Sequence, residues 1–164
     1  MNESNKIIWL IESITKGRYG FDLGCGSSKI PGSIGIDIKP DNKPDMVIDC
    51  CVPEAWTEIK ATYPYDSEYD YIYSSHLIED FDEQEQIRIC KLWLENMAPD
   101  GFLILYVPEK GAYKGTNFDH KREFEKGFME KLFKDIGIKE FIVSYESNWS
   151  ETLYGILGIG KKGT

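Results

Sequence analysis

Residues 19–38, Tyr-Gly-Phe-Asp-Leu-Gly-Cys-Gly-Ser-Ser-Lys-Ile-Pro-Gly-Ser-Ile-Gly-Ile-Asp-Ile, decide how this chain folds. A short apolar run from Tyr19 to Leu23 ends in the glycine turn Gly24-Cys25-Gly26. A second run, Ser33 to Ile38, carries Asp37 near its end and is closed by Lys39-Pro40. Both read as short strands bounded by turn residues. Glycine lets the backbone bend sharply and come close to a ligand, with amides free to meet an anionic group.

Outward from this stretch the chain alternates strand-like and helix-like segments. Upstream, Ile7, Ile8, Leu10, Ile11 and Ile14 recur at helical spacing, with Ser4 as a cap and Gly17 as the stop. Downstream, Asp45 to Asp49 reads as a brief third strand, and Pro53 can open a helix that runs to about Thr62. Tyr69 to Ser74 is a fourth strand. Asp82 and Glu85 form a capping box for a helix whose apolar stripe is Ile87, Cys90, Leu94 and Met97, ended by Pro99-Asp100-Gly101. Gly101 to Val107 is almost wholly apolar, which suits a strand buried on both faces of a parallel sheet. Residues 108–122 form a polar loop. A last helix near 125–136 presents Phe128, Met129, Leu132, Phe133 and Ile136, and two strands near 138–145 and 151–160 close the chain. The alternation predicts one α/β domain, a sandwich around a mostly parallel sheet.

Composition narrows the function classes. The 164 residues are 41% hydrophobic and 29% charged, an ordinary globular mix. No apolar run approaches the ~20 residues of a bilayer span, and the N-terminus lacks a signal-peptide layout, so a cytoplasmic protein without membrane contact is expected. The net charge of −9 argues against long nucleic acid, because phosphate backbones are held by Lys and Arg displacing counterions. Cys25, Cys50, Cys51 and Cys90 form no C-x-x-C pair and fit a reduced compartment. With two histidines, no metal site of the usual kind is expected.

In open α/β sheets, ligands bind outside the carboxyl ends of the strands. There the sequence puts the glycine turn, Asp37 as an acceptor for a ribose diol, Asp49 as an acceptor for an adenine amino group, and Ser74-Ser75-His76. A nicotinamide or flavin dinucleotide site is excluded: Lys29 stands at the third glycine position of G-x-G-x-x-G, and the acid follows Gly26 by 11 residues rather than about 20. No G-x-x-x-x-G-K-[ST] loop is present either.

Together "FDLGCG", "GIDI", "DMVIDC", "YDYIYSSHLIEDF" and "WLENMAPDGFLILYVPE" closely resemble the successive motifs of a class I S-adenosylmethionine-dependent methyltransferase. The resemblance runs from about Tyr19 to Ile159. It implies a Rossmann-like three-layer sandwich around a mostly parallel seven-stranded sheet with the last strand antiparallel. Only nine residues separate Leu23 from Ser33, too few for the crossover helix most of the family carries, so that helix is expected to be truncated. "GSSKIPG" at Gly26–Gly32 and "DHKREF" at Asp119–Phe124 are similar to a subgroup with G-x-x-K-x-P-G and T-H-x-R-E-F segments. Asp80 departs from the family's frequent second His.

The resemblance implies S-adenosylmethionine as cofactor, held by Asp22, Gly24, Cys25, Gly26, Lys29, Asp37, Ile38, Asp49, Cys50 and Ser74, with Lys29 facing its carboxylate. The expected reaction is methyl transfer by in-line displacement to a small-molecule acceptor, with sugar-related chemistry implied by the subgroup. His76 and His120 are the two candidate bases. Glu79, Asp80 and Glu109 are candidate acids at the mouth, and residues 108–124 a candidate lid. Two alternatives stay open: a cofactor-binding partner subunit without catalysis, and an RNA or DNA methyltransferase. The latter lacks its usual Asn/Asp-Pro-Pro-aromatic tetrad where Ser74-Ser75-His76-Leu77 stands. The oligomeric state is not legible.

Overall fold

The computed structural model describes residues 4–64, 69–110, 121, 124–145 and 155–163. Seven strands form one sheet in the order β3-β2-β1-β4-β5-β7-β6. They are β1 (Gly20–Leu23), β2 (Ile34–Asp37), β3 (Met46–Val47), β4 (Tyr69–Ser75), β5 (Met97–Pro108), β6 (Glu140–Tyr145) and β7 (Gly155–Lys161). β1 to β5 run parallel to one another, and β7 is antiparallel to both β5 and β6. The helices are α1 (Ser4–Thr15), α2 (Pro53–Thr62), α3 (Glu83–Glu95) and α4 (Phe128–Asp135).

Side chains alternate between the two faces of a strand, and β4 uses both. Ile72 joins a core filled by Trp56 and Ile59 of α2, Ile89 and Trp93 of α3, and Met129 and Phe133 of α4. Tyr71 and Tyr73 point the other way, into a smaller core with Ile7 and Ile11 of α1 and Ile104 of β5. Three layers result, with three helices on one face and α1 on the other.

The short link between β1 and β2 contains no helix, as its length predicts. Ile30, 2% exposed, takes the place of a crossover helix by plugging the α1 face. Its N–H donates to Asp22 Oδ2 at 2.8 Å and its carbonyl accepts from Ser33 Oγ at 2.7 Å.

Several boundaries differ from the sequence reading. Met97, assigned to the helical stripe, begins β5 and pairs with Tyr69. Asn96 turns the chain out of α3 early, its Nδ2 donating to Leu92 O at 2.7 Å. Asp100 then adopts φ 64° and the β4–β5 register shifts. Gly101 permits the close approach that follows, since a Cβ there would sit 3.0 Å from Asp70 O. The third strand shrinks to Met46–Val47 because Asp45 is drawn to Gly35 N and Asp49 turns back onto Cys51 N. The capping box of Asp82 and Glu85 forms as expected. The cap expected from Ser4 lies outside the described side chains. Among the described residues, no helix is long and apolar enough to cross a membrane.

Candidate active site

The carboxyl ends of β1, β2, β4 and β5 meet along one edge of the sheet. Chain leaving β1 turns left-handed at Gly24 (φ 68°) and again at Gly26 (φ 53°). A side chain at Gly24 would also strike Leu77, whose Cδ2 would lie 2.9 Å from the added Cβ. The turn's amides, expected to be free for an anion, are instead directed inward. Gly24 N and Cys25 N both donate to Ile36 O, at 2.8 and 3.2 Å, and Gly26 N donates to Asp37 Oδ2 at 2.9 Å. Lys39 N donates to the other oxygen, Asp37 Oδ1, at 2.7 Å. The buried Asp37 carboxylate is therefore fixed from both sides against the glycine turn, and Ile38 beyond it is 61% exposed.

Asp22 sits beneath this turn. Burial pushes its carboxyl up to about 7, against the opposing hydrogen bond from Ile30 N and the charge of Lys29. Burial likewise pushes the Cys25 thiol up to about 12. A thiol in that state is a packing group rather than a nucleophile. Lys29, expected at a cofactor carboxylate, lies across Gly35 instead and places its Nζ 2.6 Å from Asp45 Oδ2. Against a desolvation that raises it, Lys29 and the Gly35 N–H hold the Asp45 carboxyl below its ordinary value.

Asp49 is exposed, with Oδ1 accepting from Cys51 N at 2.9 Å. Sequence reasoning missed what fixes the next residues. Cys50 O accepts from both Trp56 Nε1 at 3.1 Å and Trp93 Nε1 at 3.0 Å, and Cys51 O accepts from Arg88 Nη1 at 3.0 Å. These donors come from α2 and α3, and no local motif announces them. Ser74 Oγ donates to Leu23 O at 2.9 Å, tying β4 to β1 just below the glycine turn.

At the end of β4, His76 adopts φ 54° and its N–H donates to Tyr106 O at 2.9 Å. Its ring stands edge-on to Tyr106, with centroids 5.4 Å apart. Nδ1 lies 3.3 Å from Oε1 of Glu79, whose side chain is fully buried, and His76 Nε2 is also screened from solvent. Glu109, at the end of β5, bridges to Phe124 through the backbone. Lys121 places its Nζ 3.1 Å from Glu85 Oε2. His120 and most of the expected lid lie outside the described residues. Among the described residues, no group of three or more His, Cys, Asp or Glu side chains could hold a metal ion, and the four cysteines are free thiols.

The edge thus brings the glycine turn, Asp37, Ile38 and Ser74 together beside His76, while Lys29 turns to Asp45 and Asp49 to its own loop. Strand order, the antiparallel β7 and this strand-end edge define the class I methyltransferase fold. The chain is similar over 97% of its length to a SAM-dependent methyltransferase from Archaeoglobus fulgidus, covering 92% of that chain, with a TM-score of 0.72 and 15% identity. An O-methyltransferase family protein from Burkholderia thailandensis matches 98% of the chain at a TM-score of 0.68 and 11% identity, and the chain spans 56% of that protein. The N-methyltransferase NodS from Bradyrhizobium japonicum, in complex with S-adenosyl-L-homocysteine, matches 99% of the chain and 89% of its own at a TM-score of 0.64 and 12% identity. No protein-family profile and no curated protein matches the sequence.

Proposed function

We propose that this protein binds S-adenosylmethionine at the carboxyl ends of β1, β2 and β4 and transfers its methyl group to a small-molecule acceptor, as a member of the short-crossover G-x-x-K-x-P-G subgroup. The observation that carries this reading is the Asp37 carboxylate. It offers about four lone-pair sites, of which Gly26 N and Lys39 N take two. The remaining capacity suits the two hydroxyls of a ribose. Among the described residues, nothing beyond its chain neighbours lies within 4 Å of a Cβ built on Gly26, which leaves space above the turn for a ligand. The exposed Ile38 gives a purine an apolar face to lie on. Asp22, Gly24, Cys25 and Ser74 shape the turn in this reading, whereas Lys29 would reach a cofactor carboxylate only after leaving Asp45.

When bound, the sulfonium cofactor supplies an already activated methyl group for in-line displacement. The protein's part is to align the acceptor and exclude water, which can supply roughly 7–11 kcal/mol of the barrier. His76 takes the acceptor's proton where the nucleophile must lose one. Structural relatives include both an N- and an O-methyltransferase, so the acceptor atom is assigned by experiment: methyl transfer from labelled cofactor to metabolite pools and to RNA, with label expected in the metabolites.

Calorimetry tests the binding step. S-adenosylmethionine and S-adenosylhomocysteine are expected to give heat, and NAD and ATP none. Asp37→Ala should weaken binding at least about tenfold, since a hydrogen bond to a charged group contributes about 1.5–3 kcal/mol. The same change should lower the melting temperature, because two backbone N–H groups lose their acceptor. A folded wild type without heat from either sulfur nucleotide refutes the reading.

A further inference from the structure

Asp22 is a carboxyl group only 2% exposed, with a single hydrogen bond among the described residues, accepted from Ile30 N at 2.8 Å. It is the next-to-last residue of β1, at the foot of the glycine turn that starts at Gly24. An ionised carboxylate in such a place is unfavourable unless charges or donors around it make up for the lost water.

Its neighbours decide the balance. β2 brings Asp37, whose charge opposes ionisation, and the β1–β2 link brings Lys29, whose charge favours it. The turn brings Cys25, and β4 brings Tyr71 and Tyr73. Burial pushes all three of these groups up, so they stay neutral around pH 7. On the far side of the two tyrosines, α1 packs against them and keeps Glu12 exposed. The lysine is shared, because Asp45 Oδ2 holds its Nζ at 2.6 Å. Around Asp22 the charged groups are therefore one divided cation and one anion, and a further positive charge above the turn would tip it towards ionisation.

We propose that Asp22 is a proton-linked selector between methyl donor and product: it keeps its proton while the edge is empty and releases it to solvent when a cationic cofactor lies over the turn. The inference rests on the cofactor reading proposed above. S-adenosylmethionine carries a sulfonium, an ammonium and a carboxylate, and so a net positive charge. When the acceptor bonds to the methyl carbon, the carbon–sulfur electron pair stays on sulfur, and the thioether product has no net charge. A nearby positive charge favours the ionised form of a carboxyl group. The donor therefore draws the proton from Asp22, and the ionised Asp22 holds the donor more tightly in return. Methyl transfer removes that attraction, and Asp22 takes a proton back from solvent as the product leaves.

Carbon-13 NMR of the aspartate carboxyls reads this proton directly. In the free wild type one aspartate should titrate near 7. Asp22→Asn, whose amide carbonyl can still accept from Ile30 N, should remove that signal. Excess S-adenosylmethionine should lower the midpoint by at least about one pH unit, a tenfold change in the proton equilibrium, and S-adenosylhomocysteine by less than half as much. Binding that releases a proton strengthens as the pH rises. From pH 6 to 8, the ratio of donor to product affinity should rise at least about threefold more in wild type than in Asp22→Asn, since the nucleotides' own amino groups titrate alike with both proteins. A free wild type in which no aspartate titrates between pH 6 and 8 overturns the proposal without any variant. A midpoint that moves equally with both nucleotides, or with neither although calorimetry shows both bound, overturns it too. If calorimetry shows that neither nucleotide binds, the cofactor reading itself falls and the selector with it, even with a midpoint near 7.

Discussion

Along β1, β2 and β3, four aspartates each accept a backbone N–H: Asp22 from Ile30, Asp37 from Gly26 and Lys39, Asp45 from Gly35, and Asp49 from Cys51. At the end of β4 the buried carboxylate of Glu79 faces a side chain instead. A carboxylate held by main-chain amides is fixed as firmly as the loop that carries them, and it shapes that loop in return. A carboxylate set against an imidazole depends on rotamers and on the charge of its partner. The first half of the edge is thus preset by main-chain amides, and the second is set by packing between side chains.

The largest effect that sharpens this contrast lies at Asp22. Burial raises its carboxyl from 3.8 to about 7, so between those values the folded chain holds a proton that the unfolded chain releases. The stability that the protonated group contributes is complete below about pH 4 and is lost as the pH climbs through 7. At about 1.4 kcal/mol per pH unit, wild type should lose about 4 kcal/mol across that window relative to Asp22→Asn, which has nothing to titrate. Urea unfolding midpoints of both proteins from pH 4 to 8 measure it. Parallel curves would mean that the Ile30 amide alone sets the loop whatever the charge on Asp22.

A smaller effect is expected at Trp93, one of two indoles on Cys50 O. Trp93→Phe removes a buried hydrogen bond and some core volume, and should cost about 1–3 kcal/mol by urea unfolding. Trp56 keeps the carbonyl paired, so cofactor affinity should fall less than threefold. A fall of tenfold or more would show that the Cys50-Cys51 loop is not preset. The smallest effect is expected at Lys29. Its contact with Asp45 is more than a third exposed on both sides, and exposed pairs contribute about 0–1 kcal/mol. Lys29→Ala should therefore shift the unfolding midpoint by less than about 1 kcal/mol. A tenfold loss of cofactor affinity would instead restore the role its motif implies and break the rule that this half relies on main-chain donors.

Much of this was legible because the relevant signals are local. The glycine turn, Asp37, the Asp82–Glu85 capping box and the missing crossover helix are each written within a dozen residues. What the sequence does not announce lies where distant segments meet at one group. Nothing near Lys29 in sequence points to Asp45, and Trp56, Arg88 and Trp93 find Cys50 and Cys51 only once α2 and α3 are packed on the sheet. Met97 shows the same limit from the other side. Its spacing fits the helical stripe, yet pairing with Tyr69 after the turn at Asn96 places it in a strand.

The helix-free link between β1 and β2 also bears on how the chain finds its fold. Phe21 pairs with Ile34, 13 positions on, whereas its partner on the other side, Ile72, is 51 positions away. Ring-closure entropy grows as about 1.5 RT times the logarithm of loop length. Bringing β1 to β2 therefore sacrifices about 1 kcal/mol less chain freedom than bringing β1 to β4. Parallel pairing is normally a long-range event that delays assembly, but here the pair that frames the glycine turn is nearly as local as a hairpin.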